Sequence, residues 1–170
     1  MTHRNRTSRL FRHLATDHVS VRRTFPKAAL ARIEAAIAAG ESRHRGQVRF
    51  AVEPSLPLAR VWHRVSPRER ALEVFGLLRI WDTAENCGVL VYLLLADRDV
   101  EIIADRGIHQ HVGSAAWETV CRKMETAFRA GRFAEGVEAG VAEISALLTR
   151  HYPRDGGTRG NELPDKPVVL

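Results

Sequence analysis

The chain has 170 residues, 45% of them hydrophobic, and a formal net charge of +6. That length suits one domain with one core, and Cys87 and Cys121 fall in no metal-like or redox-like spacing, which sets aside a disulfide framework and a zinc site. The charge is uneven: residues 1–49 hold eleven Lys/Arg against Asp17, Glu34 and Glu41, so residues 50–170 carry a net charge of −2.

The first ten residues are basic but lead into no apolar run of signal-peptide length. The most apolar stretch, residues 88–96, is about half of what a membrane-spanning helix needs. A soluble, cytoplasmic protein is expected. Clustered cations in residues 1–24 invite docking on an acidic partner, an anionic membrane or nucleic acid. A solubilising arm is the alternative, because no aromatic interleaving or nucleic-acid motif accompanies the charge.

In chain order, Leu10, Phe11 and Leu14 give residues 6–16 a short helix with one apolar stripe. Pro26 opens an amphipathic helix on Ala29, Leu30, Ile33, Ala36 and Ile37 that ends near Gly40 or Gly46. Residues 47–53 alternate polar and apolar positions as a strand, closed by Pro54 and Pro57. Ser66-Pro67-Arg68-Glu69 reads as a capping box with proline at the first helical position, starting a helix to about Ile80.

A polar turn over residues 81–88 then enters the apolar run 89–96, expected as a central strand covered on both faces. Asp97-Arg98-Asp99 turns it into residues 100–105, an antiparallel hairpin. Ser114 begins a helix through Trp117, Val120, Cys121, Met124 and Phe128. A second helix follows on Phe133, Val137, Val141, Ile144, Leu147 and Leu148, with Gly136 and Gly140 permitting close approach to a neighbour. From Pro153 the composition turns to Gly, Pro and charge, reading as a disordered tail. Together these elements predict an α/β fold: a three-layer α/β/α sandwich with a small mixed central sheet flanked by helices.

The strand entry Glu85-Asn86-Cys87-Gly88-Val89-Leu90 resembles the D-N-G-[VI]-L-L entry of the TPM domain family. Asp97-Arg98 followed by Val100 and Ile102 is similar to that family's hairpin, and Phe128-Arg129-Ala130-Gly131-Arg132-Phe133 with Gly136-Val137 resembles its F-[RK]-x-G-[DR]-[YF] signature. Where the family has G-x-G, this chain has Asp105-Arg106-Gly107. The resemblance covers roughly residues 30–148. It implies the α/β/α sandwich, with some members described as acid phosphatases, some as binders of divalent cations such as calcium, and others as assembly or receptor-accessory factors.

Asp82, Glu85, Asn86, Asp97 and Asp105 are the candidate oxygen ligands for a hard cation, calcium or magnesium, gathered at the strand ends. The alternative is that Asp82 caps a turn, Asn86 satisfies backbone groups and Asp97 makes the hairpin turn. For a phosphatase, Asp82 or Asp105 would orient water or attack while Arg106 stabilises phosphoryl charge. His109 and His111, alternate residues of an extended segment, suggest a transition-metal pair, against simple packing beside the next helix. Arg98, Arg106 and Glu101 form either an anion clamp or solvated ion pairs.

The expected organisation is a basic helical arm (1–24), a TPM-like α/β domain (25–152) and a disordered tail (153–170). The expected function is an interaction or accessory module for a protein partner that is membrane-associated or acidic. A divalent-cation-dependent, low-specificity acid phosphatase is the alternative.

Overall fold

The computed structural model describes residues 3–154 and 161–170. Its centre is a pair of parallel strands, Gln47–Glu53 (β1) and Gly88–Leu94 (β2), in which every residue is buried. Gln47 pairs with Gly88 and Glu53 with Leu94. Asp99–Ala104 (β3) returns antiparallel beside β2, with Leu94 opposite Asp99 and Val89 opposite Ala104. Val168–Val169 (β4) lies parallel to β1 on its other side, giving the order β3-β2-β1-β4. A run as apolar as β2 is stable only where both faces are covered, and the helices cover both.

Among the described residues eight helices surround the sheet: α1 (His3–Ala15), α2 (His18–Thr24), α3 (Lys27–Glu41), α4 (Leu58–Trp62), α5 (Pro67–Leu77), α6 (Arg106–Val112), α7 (Ser114–Arg129) and α8 (Phe133–His151). Side chains alternate across the sheet. Phe50, Val52, Val89, Val91 and Leu93 face a core closed by Ile33 and Ile37 of α3, Met124 and Phe128 of α7, and Val141 and Ile144 of α8. Ala51, Leu90, Tyr92, Leu94 and Ile103 face a second core closed by Val61 of α4 and Ala71 and Val74 of α5, with Leu10 of α1 packed against it. This is the three-layer α/β sandwich that the sequence predicts.

Local signals explain the helix boundaries. Ser66 accepts from the Glu69 N–H at 3.1 Å and Glu69 reaches back to the Ser66 N–H, the expected capping box, with Pro67 behind it. A second capping box, Asp17 with Ser20, starts α2. The pairing of α7 with α8 depends on glycine: a Cβ on Gly140 would sit 2.3 Å from Met124 Sδ, and one on Gly136 would sit 2.9 Å from Ala127 Cβ.

The structure departs from the sequence reading in three places. The segment holding His109 and His111 is the helix α6, not an extended strand, so the two rings project about 200° apart around its axis. Two short helices, α2 and α4, form where the sequence reading places no separate element. Of the expected disordered tail, residues 155–160 lie outside the described residues, and residues 161–170 return to the sheet. There the Glu162 and Leu163 N–H groups donate to Gln47 Oε1 at 2.9 and 2.8 Å, and the Leu170 N–H donates to Val52 O at 3.0 Å. The partner of this segment is the open side of β1, more than a hundred residues upstream, which local composition does not reveal.

Candidate interaction site

Four of the predicted ligand residues share one end of the β2–β3 hairpin. The loop carrying Asp82, Glu85 and Asn86 leads into Gly88, and across the ladder the Asp105 N–H donates to Gly88 O at 2.9 Å. Asp82, Glu85 and Asp105 each make a local side-chain contact. Asp82 is exposed and pairs with Arg79 at 2.6 Å, and Glu85 pairs with Arg45 at 2.9 Å. Asn86 adopts a left-handed backbone, φ 52°, and its carbonyl accepts from the Ile108 N–H. Asp105 Oδ1 accepts from the Arg106 N–H at the start of α6, while its buried Oδ2 has no partner among the described residues. The Arg106 side chain is exposed.

Asp97 does not join them. It follows the far end of β2, and the six residue steps from Gly88 to Leu94 at about 3.3 Å each put at least roughly 20 Å between it and Gly88. A hard cation needs six or more oxygens within about 2.6 Å. Among the described residues no three His, Cys, Asp or Glu side chains are grouped to hold a metal ion.

Asp97 instead holds down the N-terminal arm. Arg9 Nε reaches Asp97 Oδ2 at 2.9 Å, Arg12 reaches Oδ1 at 3.1 Å, and His13 Nε2 lies 3.3 Å from Oδ2. The same side chains satisfy backbone groups: Arg9 donates to Val65 O, Arg12 to Ala96 O, and His13 Nδ1 accepts from the Leu56 N–H. Burial opposes the charge on Asp97, but the hydrogen bond with His13 and the two guanidinium groups outweigh it and hold the carboxyl down at about 2. Two cations expected to face an outside partner are therefore turned inward, and α1 presents Phe11 and Leu14 to solvent.

Among the described residues, β3 forms one edge of the sheet. Along β3 runs a groove of about 670 Å³, with Arg68 and Leu72 of α5 on one wall and Trp117, Cys121 and Glu125 of α7 on the other. Because the Asp105 N–H bonds to Gly88 O, the hydrogen-bonded pairs of this antiparallel ladder include Ile103 with Leu90 and Glu101 with Tyr92. The N–H and C=O groups of Val100, Ile102 and Ala104 therefore point away from β2 into the groove. Of these, the Ile102 N–H faces the Cys121 thiol, which burial pushes up to about 12. In the expected Arg98, Arg106 and Glu101 set, Glu101 pairs with Arg68 of α5 instead, at 3.0 Å.

The family model of the TPM domain matches residues 21–147. The chain belongs to the TPM domain family. This TPM domain also superposes on solved structures: the NMR structure of the BA42 protein from the psychrophilic bacterium Bizionia argentinensis, at TM-score 0.73 and 25% identity, covers 84% of this chain and 93% of that one. The solution structure of the N-terminal domain of a P. gingivalis protein matches at TM-score 0.61 and 19% identity, over 74% of this chain and 79% of that one. No curated protein matches the chain. The helix α1 and the segment 161–170 both lie outside the family match. Among the described residues of the domain, no helix is long and apolar enough to cross a membrane.

The described residues of the TPM domain also hold two buried polar groupings. Glu53, at the end of β1, accepts both prongs of Arg70 at 2.8 and 3.1 Å and the Tyr92 hydroxyl at 2.6 Å. Glu41, at the end of α3, accepts from the Val48 N–H at 2.8 Å beside Asp165 and the buried Arg49. Burial, and then the neighbouring Asp165 carboxyl, raise Glu41 to about 8 against the opposing pull of the Val48 N–H and Arg49. Folded, this carboxyl keeps its proton to about pH 8; unfolded, it ionises near 4.5. Its contribution is thus full below about pH 4.5 and is lost as pH rises through about 8. The thermal midpoint is expected to fall between pH 5 and 8 by several degrees more in the natural protein than in Glu41→Gln. Parallel midpoint-against-pH curves for the two proteins would contradict this.

Proposed function

We propose that this TPM domain is a non-catalytic interaction module that docks a protein partner along the free edge of its sheet. The observation that carries the reading is the groove over β3, whose outward backbone groups meet no other strand among the described residues while helices cover both faces of the sheet. An open strand edge between two helical walls is a recurrent protein-recognition surface. The arm has a supporting role: with Arg9 and Arg12 bound to Asp97, it serves the domain's own stability more than an acidic partner. The phosphatase alternative needs Asp82, Asp105 and Arg106 to converge on a phosphoryl group. The commitments of Asp82 to Arg79 and of Asp105 to α6 favour the interaction reading.

The test places a photo-crosslinking side chain at Leu72 or Arg122, beside the groove, and at exposed Ala38 on α3 as a control, in the cells that make the protein. Discrete adducts from the first two positions and none from Ala38 are expected. The reading fails if all three positions give the same adducts or none. It also fails if the purified protein hydrolyses a phosphomonoester in a cation-dependent manner that Asp105→Ala abolishes.

A further inference from the structure

We propose that the groove takes an extended peptide segment carrying a basic side chain, added as a fifth strand along β3. The proposal rests on the interaction reading above and specifies its occupant.

The backbone supplies the first argument. Val100, Ile102 and Ala104 turn their N–H and C=O groups outward, and all but the Ile102 N–H, which faces the Cys121 thiol, are offered to one extended segment of about six residues. The groove in front of these groups is lined by Arg68 and Leu72 of α5 and by Trp117 and Cys121 of α7. Trp117 adds a further donor: its indole is buried in the groove wall, and Nε1 has no partner among the described residues.

Charge supplies the second. Four carboxylates, Asp99, Glu101, Glu118 and Glu125, line the groove against the guanidinium groups of Arg68 and Arg122. Arg68 pairs with Glu101 at 3.0 Å and Arg122 with Glu118 at 3.8 Å. Glu125 has Arg129 at 3.8 Å, and Asp99 has no ion pair among the described residues. Burial, with the like charges of Glu101, Glu125 and Asp97 behind it, raises Asp99 to about 6, against the pull of Arg9. An incoming Lys or Arg side chain beside Asp99 supplies the missing countercharge.

A second copy of the chain fits less well. Antiparallel self-pairing of β3 centred on residue 101, 102 or 103 sets Glu101 against Glu101, Asp99 against Asp105, or Glu101 against Asp105. Each register opposes two carboxylates, which is destabilising across strands.

The experiment titrates the isotopically labelled full chain with a capped heptapeptide alternating valine and lysine, and separately with its glutamate counterpart, while amide shifts are followed. Shifts centred on residues 99–104 and 117–125 are expected, with the lysine peptide binding about tenfold or more tighter than the glutamate one. Ala104→Pro removes an outward N–H and no ladder bond, and is expected to weaken binding about tenfold. Because that variant perturbs an edge strand, Asp99→Asn and Glu125→Lys serve as folded controls, and both should erode the preference for lysine. Equal binding of the two peptides, shifts elsewhere, or no response to these variants would overturn the proposal. So would a concentration-dependent dimer that Ala104→Pro abolishes. Groove-specific crosslinks to a partner that lacks a basic extended segment would sink this inference alone and leave the interaction reading standing.

Discussion

Asp97→Ala is expected to lower the unfolding free energy by about 3–5 kcal/mol, because it leaves three cation-capable side chains converging on an empty place. Asp97 is 10% exposed at its side chain and receives Arg9, Arg12 and His13, of which the His13 side chain is fully buried. His13 Nδ1 is occupied by the Leu56 N–H, so its proton sits on Nε2 and faces the carboxylate. Denaturant unfolding measures the loss. A cost below about 1 kcal/mol would mean that the arm is held by apolar packing alone. The carboxyl's depressed value fixes the pH behaviour: its contribution is present above about 3.8 and fades as pH falls through about 2. Natural protein and Asp97→Ala should therefore converge in stability at strongly acidic pH. Hydrogen exchange should locate the lost protection in α1 and around Leu56.

The second large effect is expected for Arg70→Ala, also about 3–5 kcal/mol, through Glu53. That carboxylate is 9% exposed at its side chain, and the Arg70 fork supplies its countercharge. Removing the fork strands a charge between β1 and α5 with only the Tyr92 hydroxyl left. Arg70→Lys should recover part of the loss, since one ammonium does not reproduce the two-pronged contact. The double change Glu53→Gln with Arg70→Met should cost less than Arg70→Ala alone, because it removes both charges together. If the double variant is the less stable of the two, the stranded charge is not the cause. Tyr92→Phe, which loses one hydrogen bond, should cost about 1 kcal/mol.

The sequence made the scaffold readable where local pattern and burial agree. β1 was legible to its ends because Gln47 and Pro54 bracket it, and β2 because its apolar run is too short for a membrane helix and too continuous for a half-exposed strand. The Ser66-Pro67-Arg68-Glu69 cap located the start of α5, and Gly136 and Gly140 announced the close approach of α7 and α8. What escaped was non-local. The Val168–Val169 strand is defined by β1, and α6 is only seven residues long, signalled by Asp105 as its N-cap and by little else. Asp97 stands apart from the other four candidate ligands because residues that flank opposite ends of one strand look close when only sequence distance is counted. Glu53 inside a strand end and Tyr92 inside an apolar run were visible signals of a buried polar network. The groove had a fainter one, Trp117 and Cys121 four apart on the helix beside an edge.

The contact between the arm and Asp97 has a temporal consequence. Arg9 and its acceptor are 88 residues apart in the chain, and on a ribosome adding about 5–20 residues per second the arm emerges several seconds before its carboxylate does. During that interval α1 is an unneutralised basic segment. The hairpin's arrival quenches it, so α1 is fastened in place only after residues far downstream of it have been made.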